Sequence, residues 1–211
     1  MKLLLAGATG LVGSHVLRLA LDDPRIARVT APVRRPLPFS HPKLLAPVVD
    51  YEALPAEVDW WRADAVICTL GTTMKAAGSK AAFRRVDHDY PLVFGQVAHR
   101  HGASTYVLNS AVGASPDSHF FYNRVKAALE QDLAQVGFAS LTFARPGLIG
   151  GKRAESRPAE RTMVLTLGVL SPLLPQRWRV CPPQKIAQAM IESALKAQPG
   201  IHVVPFAAMS Q

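Results

Sequence analysis

The sequence predicts an α/β chain built on a doubly wound, mostly parallel sheet with helices on both faces. Three observations predict it. Short apolar runs of strand length alternate with longer amphipathic runs along most of the chain. The first run, Lys2 to Ala6, leads directly into glycines at positions 7, 10 and 13 and then into an amphipathic stretch, Leu11 to Leu21. A chain of 211 residues, 49% of them hydrophobic, suits a single α/β domain over 1–211, with little room for a second.

The glycine-bearing turn explains itself if it meets an anion. Gly7 permits a tight turn, Gly10 lets the backbone approach a phosphate with no Cβ between, and Gly13 lets the helix pack on the strand. The helix N-terminus would then present N–H groups and a partial positive charge to a nucleotide pyrophosphate. Gly7, Thr9, Gly10, Leu11, Val12 and Gly13 are the residues this turn would place against it. The spacing is GxxGxxG.

The remaining elements follow in order. Ile26 to Ala31 reads as the second strand and ends in Pro32-Val33-Arg34-Arg35-Pro36. About 20 residues past a dinucleotide turn, an acid commonly holds the ribose hydroxyls. This position offers Arg34 and Arg35 instead, and a guanidinium matches a phosphate fork. The pair therefore favours NADP(H) over NAD(H), the alternative being a solvated charge pair in a proline-bounded loop. Val48 to Asp50 reads as the third strand, with Asp50 either near an adenine edge or starting a turn. Ala63 to Leu70 reads as the fourth. Leu70, Gly71, Thr72 and Thr73 follow at the crevice where the winding reverses, which is where ligands bind in such sheets.

Lys75 to Ala82 is polar and small, and reads as a mobile segment. Phe83 to His101 reads as one long helix, with Asp87-His88-Asp89 and His99-Arg100-His101 on its surface. Ser104 to Asn109 is the fifth strand, with Ser110 at its tip. Ser115 to Ser118 reads as a helix start, and the helix runs to about Val136 before Gly137. Leu141 to Ala144 is the sixth strand, ending in Arg145-Pro146-Gly147-Leu148. From Ile149 the rhythm breaks, and 149–180 reads as a small substrate-side or interface segment. Its apolar stretch, 163–174, is open between lid, buried helix and oligomer contact. Pro183 to Ala197 reads as a returning helix and Ile201 to Pro205 as a last strand.

The helix after the fifth strand carries the chemistry. Tyr122 and Lys126 are four residues apart and share a face with Leu129, Leu133 and Val136. A phenol and an amine on a packing stripe require a reason. A free phenol titrates near pH 10 and is a poor acid–base group at neutrality, and a neighbouring ammonium favours its ionised form. Ser110 could hold a carbonyl oxygen. The three together would protonate an alkoxide while hydride arrives from a nicotinamide. The alternative is a surface pair between Lys126 and Glu130 that contributes a few tenths of a kcal/mol.

Charge and composition narrow the partners. The formal net charge is +9, but the basic residues are dispersed and are not interleaved with aromatics, so nucleic acid is not expected as a partner. No apolar run is long enough to span a bilayer. Two cysteines are too few for a disulfide framework, and seven histidines show no ligand spacing, so the reading is cytoplasmic and metal-free.

Gly7 to Gly13, Ser110 and Tyr122-x-x-x-Lys126 resemble the short-chain dehydrogenase/reductase family. Leu70-Gly71-Thr72-Thr73, Phe120 to Lys126, Arg145-Pro146-Gly147 and Glu155-Ser156-Arg157-Pro158 look like its atypical group around the Tat-interacting protein, CC3. The resemblance covers nearly the whole chain. It implies a Rossmann sheet of order 3-2-1-4-5-6 with room for a seventh strand, a small C-terminal cap, and bound NADP(H). It also implies Ser110 as substrate-orienting group, Tyr122 as acid–base, and Lys126 on the nicotinamide ribose. Pro146, Gly147 and Leu148 would lie beside the nicotinamide. Two functions remain open on this basis. One is an oxidoreductase acting on a small carbonyl substrate. The other is a cofactor-binding regulator or redox sensor that contacts a protein partner, with a homo-oligomer compatible with either.

Overall fold

The computed structural model describes residues 1–150 and 180–210. Seven parallel strands form one sheet in the order β3-β2-β1-β4-β5-β6-β9. They are β1 (Lys2–Ala6), β2 (Arg28–Thr30), β3 (Leu44–Leu45), β4 (Ala65–Cys68), β5 (Thr105–Asn109), β6 (Ser140–Ala144) and β9 (Gly200–Val204). Between β6 and β9, β7 (Leu148–Ile149) pairs in parallel with β8 (Val180–Cys181). This ladder brings together the two ends of the 149–180 segment. The 163–174 stretch and Glu155 to Pro158 lie outside the described residues.

Alternation along the strands builds a core on each side of the sheet. Leu3 and Leu5 face one way, packing with Val16 and Leu17 of α1 (Leu11–Asp22) and with Ile186 and Met190 of α6 (Pro183–Lys196). Leu4 and Ala6 face the other way, with Phe94 of α4 (Tyr90–Arg100) and Leu129 and Leu133 of α5 (Phe121–Ala134). Burial on both faces is why these strands read as continuous apolar runs rather than as strict alternation. The winding reverses at β1, which pairs with β2 on one side and β4 on the other. The expected sheet and its seventh strand are thus observed.

Several boundaries differ from the sequence reading. The third strand is centred on Leu44–Leu45 rather than on Val48 to Asp50, with Val33 and Val48 making only an isolated bridge. Pro47 lies between the two and has no N–H to give, although its carbonyl accepts from Val33 N at 2.9 Å. The segment expected to be mobile is helical instead, in α2 (Met74–Ala77) and α3 (Lys80–Arg84). Thr73 and Ser79 cap these helices, accepting from Ala76 N and Ala82 N at 3.1 Å each. The long helix beyond is interrupted by a wide π turn at Arg85–Asp89. The helix expected from Ser115 starts only at Phe121, because Ser115 and Ser118 accept from Asp117 N and Phe120 N and so close turns of their own.

The tightest packing is at Gly13, where a Cβ would lie 2.0 Å from the carbonyl oxygen of Gly7. Gly13→Ala is expected to cost about 3 kcal/mol or more, the upper range for an added group in a packed interior. That cost corresponds to a thermal midpoint roughly 6–12 °C lower for a chain of this size. An unchanged midpoint in thermal unfolding would mean that α1 and β1 are not pressed together there.

Candidate functional site

The site is assembled from the turns at the carboxyl ends of β1, β4, β5 and β6. Gly7 follows β1 with φ at +87°, a conformation that favours glycine. A Cβ there would come 2.7 Å from Thr69 Oγ1 and 2.8 Å from the Thr69 carbonyl carbon, so the turns after β1 and β4 are in direct contact. Thr69 Oγ1 lies 3.0 Å from Ala6 O and 3.1 Å from Gly7 O, tying the two strand ends together. Gly10 stands at the N-cap of α1 and, having no side chain, leaves the first-turn N–H groups without a side-chain cap. Thr9 and Gly10 are exposed at the tip. Such an uncapped N-terminus, with a backbone cradle that any Cβ would fill, fits the phosphates of a dinucleotide.

Beyond β2, Arg34 and Arg35 are both exposed. The buried Tyr51 hydroxyl donates to Pro32 O at 3.0 Å. Burial chiefly pushes the Tyr51 phenol up, with Cys68 adding to the effect, against the opposing influence of the Gly7 N–H and the Arg34 guanidinium. Because β1 and β2 run parallel, Arg34 and the glycine turn leave the sheet at the same end. Asp50 starts a turn, its Oδ1 accepting from Glu52 N at 2.9 Å.

On α5, Tyr122 is 38% exposed while Lys126 is buried one turn below, its Nζ 5.9 Å from the centre of the Tyr122 ring. Phe83 meets the Tyr122 ring edge-on, with ring centres 5.9 Å apart. Lys126 does not pair with Glu130. Its Nζ lies 2.9 Å from Asp87 Oδ1, and both side chains are almost wholly enclosed, at 3% and 2% exposure. Asp87 Oδ2 in turn accepts from Thr72 N at 2.7 Å. Burial pushes the Lys126 ammonium down, but the charges of Asp87, Tyr122 and Cys68 and the bond to Asp87 outweigh it and hold Lys126 above its ordinary value. Asp87 and His88 are thus buried rather than on the surface, because the π turn directs both at α5. His88 Nε2 lies 2.9 Å from Asp132 Oδ2 and its Nδ1 2.8 Å from Asp89 Oδ1.

Ser110 is buried, and its hydroxyl donates to Glu130 Oε1. Glu130 also pairs with Arg145, whose Nε donates to Oε1 at 3.0 Å. A hydroxyl has one proton to give, and a substrate carbonyl needs a donor. Here Glu130 takes that proton, and the next residue, Ala111, carries no polar group. The neighbouring Asn109 has a buried Oδ1 with no donor among the described residues, which an N–H or O–H of a bound group would satisfy. Pro146 O accepts from Val112 N at 2.9 Å, joining the turns after β5 and β6, while Leu148 stays exposed. Leu70 and Thr72 are partly buried, and Gly71 and Thr73 are exposed along the rim.

The sequence reading missed Thr69, Asp87, Asn109 and the partners of Glu130. One signal was available for the last. Tyr122, Lys126 and Glu130 recur every four residues down a packing stripe, and buried polar groups require partners.

No family model matches the chain. It is 34% identical to the protein fmp52, mitochondrial, of Aspergillus fumigatus, over 93% of this chain and 88% of that one. It is 34% identical to the FMP52 protein of Saccharomyces cerevisiae, over 73% and 68% of the two chains. Among solved structures, MoeE5 in complex with UDP-glucose and NAD superposes with a TM-score of 0.73 at 17% identity, covering 97% of this chain and 75% of MoeE5. The enzyme WbmH of Bordetella bronchiseptica, in complex with NAD+, gives 0.68 at 16% identity, covering 96% and 74%. These likenesses show that the fold is the Rossmann type. The expected cytoplasmic placement does not stand, because the relatives are named as mitochondrial proteins. Two unpaired, buried cysteines fit any reducing compartment and cannot single out one. With a third of its residues identical over nearly its whole length, the chain belongs to the Fmp52 family.

Proposed function

We propose that this protein is an NADP(H)-binding oxidoreductase of the short-chain dehydrogenase/reductase type that reduces a small carbonyl compound, with Tyr122 as its acid–base group. One observation carries the reading: an exposed phenol stands over a buried, carboxylate-paired ammonium, joined by way of Thr72 and Thr69 to an uncapped glycine turn. The α1 N-terminus binds the pyrophosphate, and Arg34 and Arg35 take the 2′-phosphate that distinguishes NADP(H). Pro146, Gly147 and Leu148 line the nicotinamide end. A bound nicotinamide supplies hydride to the carbonyl carbon. Tyr122 gives its hydroxyl proton to the carbonyl oxygen, and Lys126 favours the phenolate that remains. Ser110 acts as a positioning residue through Glu130 rather than as a donor to substrate. The likeness of the Phe120 to Lys126 and Arg145 to Gly147 stretches to the Tat-interacting group belongs to this reading.

A second reading is favoured by Ser110. With its proton committed to Glu130, Tyr122 is the one member of the expected trio with both a hydroxyl and exposure to meet a substrate oxygen. A strand-end serine already bonded within the protein suits a cofactor-loaded protein that signals to a protein partner with little turnover. The two readings differ in what Tyr122→Phe does. In the reductase it lowers kcat/KM for NADPH-dependent reduction of small aldehydes and ketones by about 10²–10⁴-fold. Equal turnover in wild type and variant across such a panel would remove the reductase reading.

The cofactor preference is tested separately. Replacing Arg34 and Arg35 with alanine is expected to raise the NADPH dissociation constant by about 10- to 100-fold, the range for charge-assisted bonds. NADH affinity stays the same. An unchanged ratio of the two constants, measured by fluorescence titration, would mean that the 2′-phosphate is held elsewhere.

A further inference from the structure

We propose that Asp87 is a positioning residue of this site: its carboxylate keeps Lys126 in place and protonated beneath Tyr122, and locks it to the loop that follows β4. The proposal rests on the reading of Tyr122 and Lys126 given above.

Geometry carries it. Each Asp87 oxygen has a separate task, Oδ1 on Lys126 Nζ at 2.9 Å and Oδ2 on Thr72 N at 2.7 Å. The loop is packed against the carboxylate, since a Cβ on Gly71 would come 3.2 Å from Asp87 Oδ1. One side chain thus joins α5, the π turn and the β4 loop, three parts that approach the same crevice. The π turn is the device that brings it there. A wide turn changes the angle between successive side chains, so that Asp87 reaches Lys126 while His88 reaches Asp132 on the same helix.

Charge supplies the reason. An ammonium sealed from water without a counter-ion sheds its proton, and a neutral lysine has no charge with which to favour a phenolate. The titratable groups acting on Lys126 are Asp87 from the π turn, Tyr122 from its own helix and Cys68 from the end of β4. Of these, Asp87 makes the direct ion pair. Burial disfavours the ammonium and Asp87 restores it, so the protonation state of Lys126 is set by a residue of another element.

The test is a side-chain NMR titration of Lys126, following its Cε and Nζ shifts in full-length protein with and without Asp87→Asn. Asp87→Asn preserves shape and removes charge. The expected result is a Lys126 titration moved to lower pH, toward neutrality, and returned toward the wild-type position by Asp87→Glu. A purely structural link would leave the lysine titration where it stands in the wild type, and that outcome overturns the proposal. Should Asp87→Asn not fold, Gly71→Ala crowds the carboxylate without removing it. It is expected to move the titration in the same direction by less, and no movement there overturns the proposal equally. The readout needs neither cofactor nor turnover. A silent Tyr122→Phe would therefore sink the reductase reading alone, and an immobile Lys126 titration would sink this proposal alone.

Discussion

The structure depends on one close approach, the contact of Gly13 with the carbonyl of Gly7. It sets how near α1 stands to the end of β1, and Thr69 presses on Gly7 from β4 in the same place. Three backbones meet where the sheet reverses its winding, with the small Thr69 side chain bonded between them. The exposed tip at Thr9 and Gly10 is a consequence of that packing, as is the direction of the α1 N-terminus. A turn this tight leaves backbone groups, rather than side chains, to face whatever enters the crevice, which suits an anion.

From that point the polar groups run in a continuous chain. Thr69 fixes the β4 end, and three residues later Thr72 N holds Asp87, which holds Lys126, which lies beneath Tyr122. A separate set, Ser110, Glu130 and Arg145, fastens α5 to the ends of β5 and β6. Buried ion pairs are costly to desolvate and add little net stability, but losing one partner is severe because the other charge is left behind. Both sets therefore specify position more than they stabilise. The apolar stripes of α5 and α4 bind the helices to the sheet, and the polar sets decide which turn of α5 faces the crevice.

Much of this was legible in the sequence. The sheet could be read because strands buried on both faces are unbroken apolar runs, and because Gly7, Gly10 and Gly13 fall at a strand-to-helix turn. That Tyr122 and Lys126 sit together on one helix could be read because polar residues on a packing stripe are rare enough to call for an explanation. What could not be read was partnership. Lys126 has Glu130 one turn away in sequence, yet its partner is Asp87, 39 residues distant, since a helix neighbour four residues on is no nearer than a side chain delivered by another element. The π turn that delivers Asp87 has no pattern of its own, because its residues keep the general character of the flanking helix. The two short helices at Met74–Ala77 and Lys80–Arg84 were missed because a run of four or five residues shows no periodicity, only the caps Thr73 and Ser79.

The distribution of protons separates what this site can do from what its motif suggests. A carbonyl being reduced gains negative charge on oxygen, and each donor aimed at that oxygen lowers the barrier. Ser110 was the natural second donor on spacing alone. Its hydroxyl is instead one end of a closed circuit, in which Glu130 accepts from both Ser110 and Arg145. Redirecting it would leave a buried carboxylate short of a donor, at a cost of about 1–3 kcal/mol or more for a charged group. Tyr122, by contrast, is 38% exposed. On the proposed reading, proton transfer passes through Tyr122, with Lys126 favouring its phenolate and Asp87 holding Lys126 in place.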